Sequence, residues 1–483
     1  MDIISTSVTI LFVTNFFFAS LLIFIERKDP AATWAWLLVL YFIPFLGFLI
    51  YLLLGQNLTR ERLFYWDGIK RIGLEKAIQE QKEKLLDPDF TFKNDMVENH
   101  RDLIYMHLMN NDALLTEHNH IDIFIDGKEK FETLFRDIEN AKSSIHVQYY
   151  IFKHDELGRK FIELLTKKAA EGVTVRLLYD DLGSRKLRKK HLAKFEKAGG
   201  EVAVFFPSKF TIINLRLNYR NHRKLINIDG KIGYIGGFNV GNEYLGKKAK
   251  FGYWRDTHLR VLGQSVHAIQ TRFILDWNQA AKKQVIEYEE RYFPELDGHN
   301  GSTALQIVSS GPDSEWEQIK NGYIKLIAQA KESILIQTPY FIPDQTLLDV
   351  IRVAALSGVD VKVMIPNKPD HPFVYWATYS YVGELLKSGA KVYIYDNGFI
   401  HAKTIIIDRS INAVGTANID MRSFKLNFEV TAFMYDLNTS ELLAQMFEDD
   451  MKLSYELTAE RYENRSKWIR FKESISRLLS PIL

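Results

Sequence analysis

The stretch NHRKLINIDGKIGYIGGFN, residues 221–239, returns in outline 179 positions later as IHAKTIIIDRSINAVGTAN, residues 400–418. Both copies place a lysine two residues after a histidine and an aspartate five residues after the lysine: His222, Lys224 and Asp229, then His401, Lys403 and Asp408. Each histidine is followed seventeen residues later by an asparagine, Asn239 or Asn418, behind a Gly-Gly or Gly-Thr pair. A single short match of this kind carries little weight, but two in register inside longer matched segments carry a great deal. Outward from the motif, AKSSIHVQYYIF (141–152) parallels AKESILIQTPYFI (330–342). AAEGVTVRLLYD (169–180) parallels ALSGVDVKVMIP (355–366), and AGGEVAVFF (198–206) parallels SGAKVYIYD (388–396), at offsets of 186–190 residues. Alternating β-branched runs between helical segments, with a glycine C-cap at matched places, predict two duplicated α/β domains with mixed sheets flanked by helices. Two long copies are a duplication and not a solenoid.

Residues 222–228 and 401–407 read as strands, so the two-residue period puts each histidine and its lysine on one face. By the same count Asp229 and Asp408 fall on the opposite face, at the start of DGK and DRS turns. Contact with substrate and a turn-anchoring role are equally open for them. Two imidazoles, two ammonium groups and two amides suit displacement at a phosphodiester. A neutral imidazole attacks without charge repulsion, and lysine and amide donors stabilise the developing oxyanions. In-line geometry demands a second imidazole opposite the first, to protonate the departing alkoxide. Duplication related by a pseudo-twofold axis would supply that pair. Asp256 in YWRDT and Glu429 in NFEVT lie 34 and 28 residues after the two histidines and are candidates to orient them.

The chain has 483 residues, 47% hydrophobic and 25% charged, with a formal net charge of +2 and no cysteine. Disulfides and thiolate metal sites are excluded, and the global charge is too small to name a partner. Residues 3–25 and 31–54 form two mostly apolar, uncharged runs around ERKDP (26–30). At about 1.5 Å per residue each run is long enough to cross roughly 30 Å of hydrocarbon, which predicts a transmembrane helical hairpin over 1–54. A start without basic residues and a second apolar run argue against a cleaved signal peptide. Arg60, Arg62, Lys70 and Arg71 outnumber the basic residues of the loop, so the remainder of the chain is expected on the cytoplasmic side of the cell membrane. A connector follows over 55–110, then domains over 111–295 and 304–450 joined by 296–303, and a C-terminal amphipathic tail over 451–483.

Paired motifs of this form resemble the phospholipase D superfamily, and the apolar front segment with ERKDPAATWAWLLVLYFIPFLG resembles the bacterial cardiolipin synthases. The resemblance runs from the first residues to about residue 450. It implies two phospholipase D-like domains, no metal, no cofactor and a phosphohistidine intermediate. It further implies transfer of a phosphatidyl group from one phosphatidylglycerol to another, giving cardiolipin and glycerol, with the bilayer and its anionic phospholipids as partners and no nucleic acid. Carried over residue by residue, His222 is the nucleophile and His401 the general acid, then base. Lys224, Lys403, Asp229 and Asp408 complete the catalytic set, while Asn239 and Asn418 bind phosphate. Thr416 stands where serine is common in the family, and Gly237 at the matched place lacks a hydroxyl. A hydrolytic phospholipase D or another headgroup transferase is the alternative.

The remaining signals are weaker. HNH at 118–120 lacks further ligands at metal spacing. SRKLRKKH (184–191) suits a solvated helix face or anionic headgroups, and GGFNVGNEYLG (236–246) lacks the ending of a nucleotide-binding loop. Trp468, Phe471, Ile475, Leu478 and Leu479 follow helical spacing among basic residues. They predict a helix lying on a membrane surface or docked on the protein itself.

Overall fold

A computed structural model describes residues 30–43, 73–207, 218–296, 301–368 and 370–480, with isolated positions before residue 73. Two sheets of identical strand order make up its centre. In the first, three parallel strands, Glu201–Phe205, Thr174–Asp180 and Ser144–Tyr149, are continued by antiparallel Leu225–Ile228, Ile232–Gly236, Trp254–Gly263 and Thr116–Asp126. The second repeats this as Lys391–Tyr395, Asp360–Pro366 and Ser333–Gln337 in parallel, then Thr404–Ile407, Ile411–Gly415, Asn427–Tyr435 and Thr303–Ser310. Thr116–Asp126 and Thr303–Ser310 pair with each other, so the two sheets run on as one. Every residue of Ser144–Tyr149 is buried, so the polar members of its alternation, Ser144, His146 and Gln148, lie inside the protein.

Helices cover the outer faces, and Gly172 and Gly358 end matching helices with φ of 88° and 94°, a conformation that favours glycine. Between the sheets lies a shared core that takes Leu225, Ile235 and Leu259 from the first half and Ile406, Val414 and Val430 from the second. The halves are therefore one packed body. Two expected boundaries shift accordingly. Leu74–Leu86 and Arg101–Asn111, assigned to a connector, pack on the second half through Leu85, Leu103 and Leu108. Strand Ser454–Glu456 pairs with Lys391–Tyr395, so the second sheet continues beyond residue 450.

The expected transmembrane hairpin is corrected: among the described residues no helix is long and apolar enough to cross a membrane. The helix Pro30–Phe42 has 13 residues where a span needs about 20. Apart from residue 43 and a few isolated positions, the rest of residues 1–54 lies outside the described residues, as do the four basic residues used to orient the hairpin. The multi-pass placement in the cell membrane, with the domains on the cytoplasmic side, is corrected with it. Apolar composition measures what a segment tolerates; it does not measure the length of one continuous helix.

Candidate active site

Each histidine directly follows a short strand that leaves its own half and joins the sheet of the other, and the strands expected over 222–228 and 401–407 begin only at Leu225 and Thr404. Arg220–Asn221 pairs in parallel with Asn427 and Phe428, and the His222 amide donates to the Phe428 carbonyl at 2.9 Å. Phe399–Ile400 pairs with Trp254 and Arg255, and the His401 amide donates to the Arg255 carbonyl at 2.6 Å. The residue after each pairing partner is a carboxylate, and it faces the imported histidine. His222 Nδ1 lies 2.9 and 3.0 Å from the two carboxylate oxygens of Glu429, and His401 Nδ1 lies 2.6 Å from Asp256 Oδ2. Sequence order pairs Asp256 with His222 and Glu429 with His401; the structure exchanges them.

An Nδ1–H held by a carboxylate leaves the Nε2 lone pair for chemistry. Both imidazoles line one cavity of about 720 Å³, together with Asn239 and Asn418. Tyr150 packs edge-on against His222 at 4.9 Å, and Trp254 lies 5.2 Å from His401. The Lys224 ammonium donates to the His222 carbonyl at 2.5 Å, and that of Lys403 donates to the His401 carbonyl.

Two buried arginines fix the exchange. Arg223 donates from Nη1 to both carboxylate oxygens of Asp276 at 2.7 and 2.9 Å and from Nε to the Glu429 carbonyl at 3.0 Å. Arg255 pairs with Asp450 at 2.9 Å and donates to the Asp256 carbonyl at 2.7 Å. Neither arginine belongs to the motif, and their adjacency to His222 and Asp256 was the only sequence signal they offered.

Thr416 and Gly237, the matched positions with and without a hydroxyl, both bear on the orienting carboxylates. The Thr416 hydroxyl donates to Glu429 Oε2 at 2.6 Å. A Cβ at Gly237 would lie 1.9 Å from Asp256 Oδ1, so only glycine admits that carboxylate. The asymmetry therefore concerns how each orienting carboxylate is seated.

Asp229 and Asp408 do not line the cavity. The Asp229 carboxylate accepts from the backbone N–H groups of Lys142, Ser143 and Ser144 at 2.7–2.8 Å, and Asp408 accepts from Lys331, Glu332 and Ser333 at 2.8 Å. Both sit at positive φ, 55° and 50°, which aspartate tolerates better than most residues. Of the two readings left open for them, the geometry is that of an anchor tying the turn after the histidine strand to the start of the central strand. Asp229→Ala removes three charge-assisted hydrogen bonds and leaves alanine at positive φ. It is expected to lower stability by about 2 kcal/mol or more. Specific activity of the folded fraction should hold, as a thermal melt read beside an activity assay will establish.

Burial is the first cause of the shifts of the two histidines and the two lysines. It lowers His222 to about 4, against the raising pull of Glu429, and it lowers His401 as well. It brings Lys224 to about 7 and Lys403 to about 8. Nearby cations hold Glu429 and Asp256 below the usual carboxylate range although both are buried. Each histidine feels the lysine of the other half, which makes the two half-sites one electrostatic unit. A histidine depressed from 6.5 to about 4 is neutral above pH 6.5 whether the chain is folded or not, and its contribution to stability is fully present there. That contribution is lost as pH falls through 4. An acid limb of kcat/KM below about pH 5 is accordingly expected where a free imidazole would give 6.5, as a pH–rate profile will test.

The motif did not mark Tyr340, Asp370 and Asp420, which also line the cavity; burial raises Asp420 to about 6. His371 lines the cavity as well. Among the described residues no cluster of histidine, aspartate and glutamate has the arrangement of a metal site. His120 of the HNH segment instead faces Asp122 at 3.3 Å.

A duplicated mixed sheet in which each half lends its histidine to the other's carboxylate defines a phospholipase D-like protein. The family description "Cardiolipin synthase, PLD-like domain" matches residues 134–252 and 323–451, and "Phospholipase_D-nuclease N-terminal" matches 13–56. The chain is 60% identical over 483 residues, all of both chains, to the major cardiolipin synthase ClsA of Bacillus subtilis (strain 168). It is 57% identical, again over all of both chains, to the cardiolipin synthase of Listeria innocua. The crystal structure of phosphatidylserine synthase from Haemophilus influenzae superposes with a TM-score of 0.60 at 15% identity, covering 79% of this chain and all of that one, a likeness of fold alone. The chain belongs to the cardiolipin synthase family of phospholipase D-like proteins.

Proposed function

We propose that the protein is a phosphatidyltransferase that makes cardiolipin from two molecules of phosphatidylglycerol, with anionic phospholipid as donor and acceptor. The observation that supports the two-sided chemistry is the exchange itself: two imidazoles, each oriented from the opposite half, face one cavity with a lysine beside each. Nε2 of His222 attacks phosphorus, and the bond from phosphorus to the glycerol oxygen breaks. His401 enters the step as the imidazolium, the departing oxygen takes its Nε2 proton, and glycerol leaves. The terminal hydroxyl of a second phosphatidylglycerol then gives its proton to His401 and attacks phosphorus from the side that glycerol vacated, releasing His222. Lys224 and Lys403, with Asn239 and Asn418, stabilise the charge that builds on the non-bridging oxygens. One phosphodiester is exchanged for another, so no nucleotide is consumed.

Which group wins the second step depends on which hydroxyl reaches the intermediate. Incubation with labelled phosphatidylglycerol is expected to yield cardiolipin and glycerol in equal amounts. Phosphatidic acid as the main product would replace this reading with hydrolysis.

A further inference from the structure

The helix Lys467–Leu478 docks the wrong way round for an ordinary amphipathic helix. Its buried residues are Glu473 and Ser476, while Trp468, Phe471, Ile475 and Leu478 are 63%, 54%, 40% and 77% exposed. These four recur at i, i+3, i+7 and i+10 and so form a single outward stripe. The polar side is fastened firmly. Arg465 forms a double hydrogen bond to Glu473 at 2.8 and 2.9 Å, and Arg477 pairs with Glu384 at 2.5 Å and lies over the Tyr381 ring at 4.6 Å. Trp468 and Phe471 stack on each other at 5.5 Å, a flat aromatic surface turned outward.

We infer that this stripe is a docking surface for the anionic phospholipid bilayer, holding the cavity mouth against the membrane that contains the substrate. Charge selects this occupant. Lys467 and Lys472 flank the stripe on its two sides and Arg470 is exposed nearby, the arrangement with which a helix lies in a headgroup layer of negative charge. Position supports it too. The helix packs on Pro372–Lys387, with the Lys472 ammonium 5.0 Å from the Trp376 ring, and the first turn of that same helix supplies Pro372, Phe373 and Val374 to the cavity wall. Phe373, 54% exposed, continues the apolar surface to the rim. The choice of lipid rests on the transferase reading, but the docking itself is measured separately from activity.

Because the chain has no cysteine, Ile475→Cys in the full chain carries an environment-sensitive fluorophore without background. Glu460→Cys, at an exposed polar position, is the control. With phosphatidylglycerol vesicles the label at 475 should shift to the blue and be quenched by a lipid-borne quencher, and the label at 460 should do neither. An unchanged label at 475 overturns the inference. So does a label already shielded without lipid, whether the shielding depends on protein concentration, as a second copy would cause, or not, as the chain's own segments would. A triple variant, Trp468→Ser, Phe471→Ser and Ile475→Ser, is expected to lose about tenfold or more in kcat/KM on vesicles while keeping its rate on dispersed short-chain phosphatidylglycerol. Equal loss on both substrates would make the stripe merely structural. Failure of the unaltered chain on the dispersed substrate would count against the transferase reading alone.

Discussion

His222→Ala and His401→Ala are each expected to reduce cardiolipin formation by roughly a thousandfold or more, because the two imidazoles perform steps that cannot replace each other. An activated donor separates the roles. With a phosphatidyl nitrophenyl ester the leaving group departs as an anion and needs no proton. His401→Ala should therefore retain a burst of nitrophenol equal to the enzyme present, followed by arrest, and His222→Ala should give no burst. Each side chain lies at the cavity wall with its ring held by one carboxylate, so truncation removes the reacting group and leaves the strand pairing that depends on backbone amides. A circular dichroism spectrum matching the parent is expected for both. Substantial turnover by either variant excludes the two-sided mechanism.

The second large effect concerns the exchanged carboxylates. Glu429→Gln keeps the size of the side chain but no longer selects the Nδ1–H form of His222. Loss of the right tautomer and orientation costs on the order of 10²- to 10⁴-fold where a histidine acts as base or nucleophile. Glu429 also accepts from Thr416 and Asn427, so an amide there disturbs the partners that seat it. With the activated donor, Glu429→Gln should lose the burst as His222→Ala does, and Asp256→Asn should keep it as His401→Ala does. The reverse pattern would mean that the orienting residues act within their own halves.

Much of this architecture was legible from the repeat. The matched strands around residues 145 and 334 and the glycines at 172 and 358 occupy equivalent places in equivalent sheets, because local propensity and two-residue periodicity act over short spans. His222 and His401 line one cavity, and each feels the charge of both Lys224 and Lys403. The exchange was not legible. Glu429 is 207 residues from His222, and Asp256 is 145 residues from His401, so the pairing follows from a strand crossing between halves and not from any local spacing. Asp229 and Asp408 share the motif with the histidines, yet spacing alone could not tell a residue that meets substrate from one that ties down the turn. For the apolar start of the chain, hydropathy predicted two spans, and among the described residues no helix is long and apolar enough to cross a membrane. For the C-terminal helix, periodicity identified the stripe but could not say which side would meet the protein; the burial of Glu473 and Ser476 and the pair of Arg477 with Glu384 settle that.

The central claim is that imidazoles from the two halves act in turn on opposite sides of one phosphorus. Its most direct test is the stereochemical course of transfer from a phosphatidylglycerol made chiral at phosphorus. Two successive in-line displacements, each inverting, predict net retention of configuration in the cardiolipin produced. Net inversion would mean that the acceptor hydroxyl displaces glycerol in a single step, and would contradict the account.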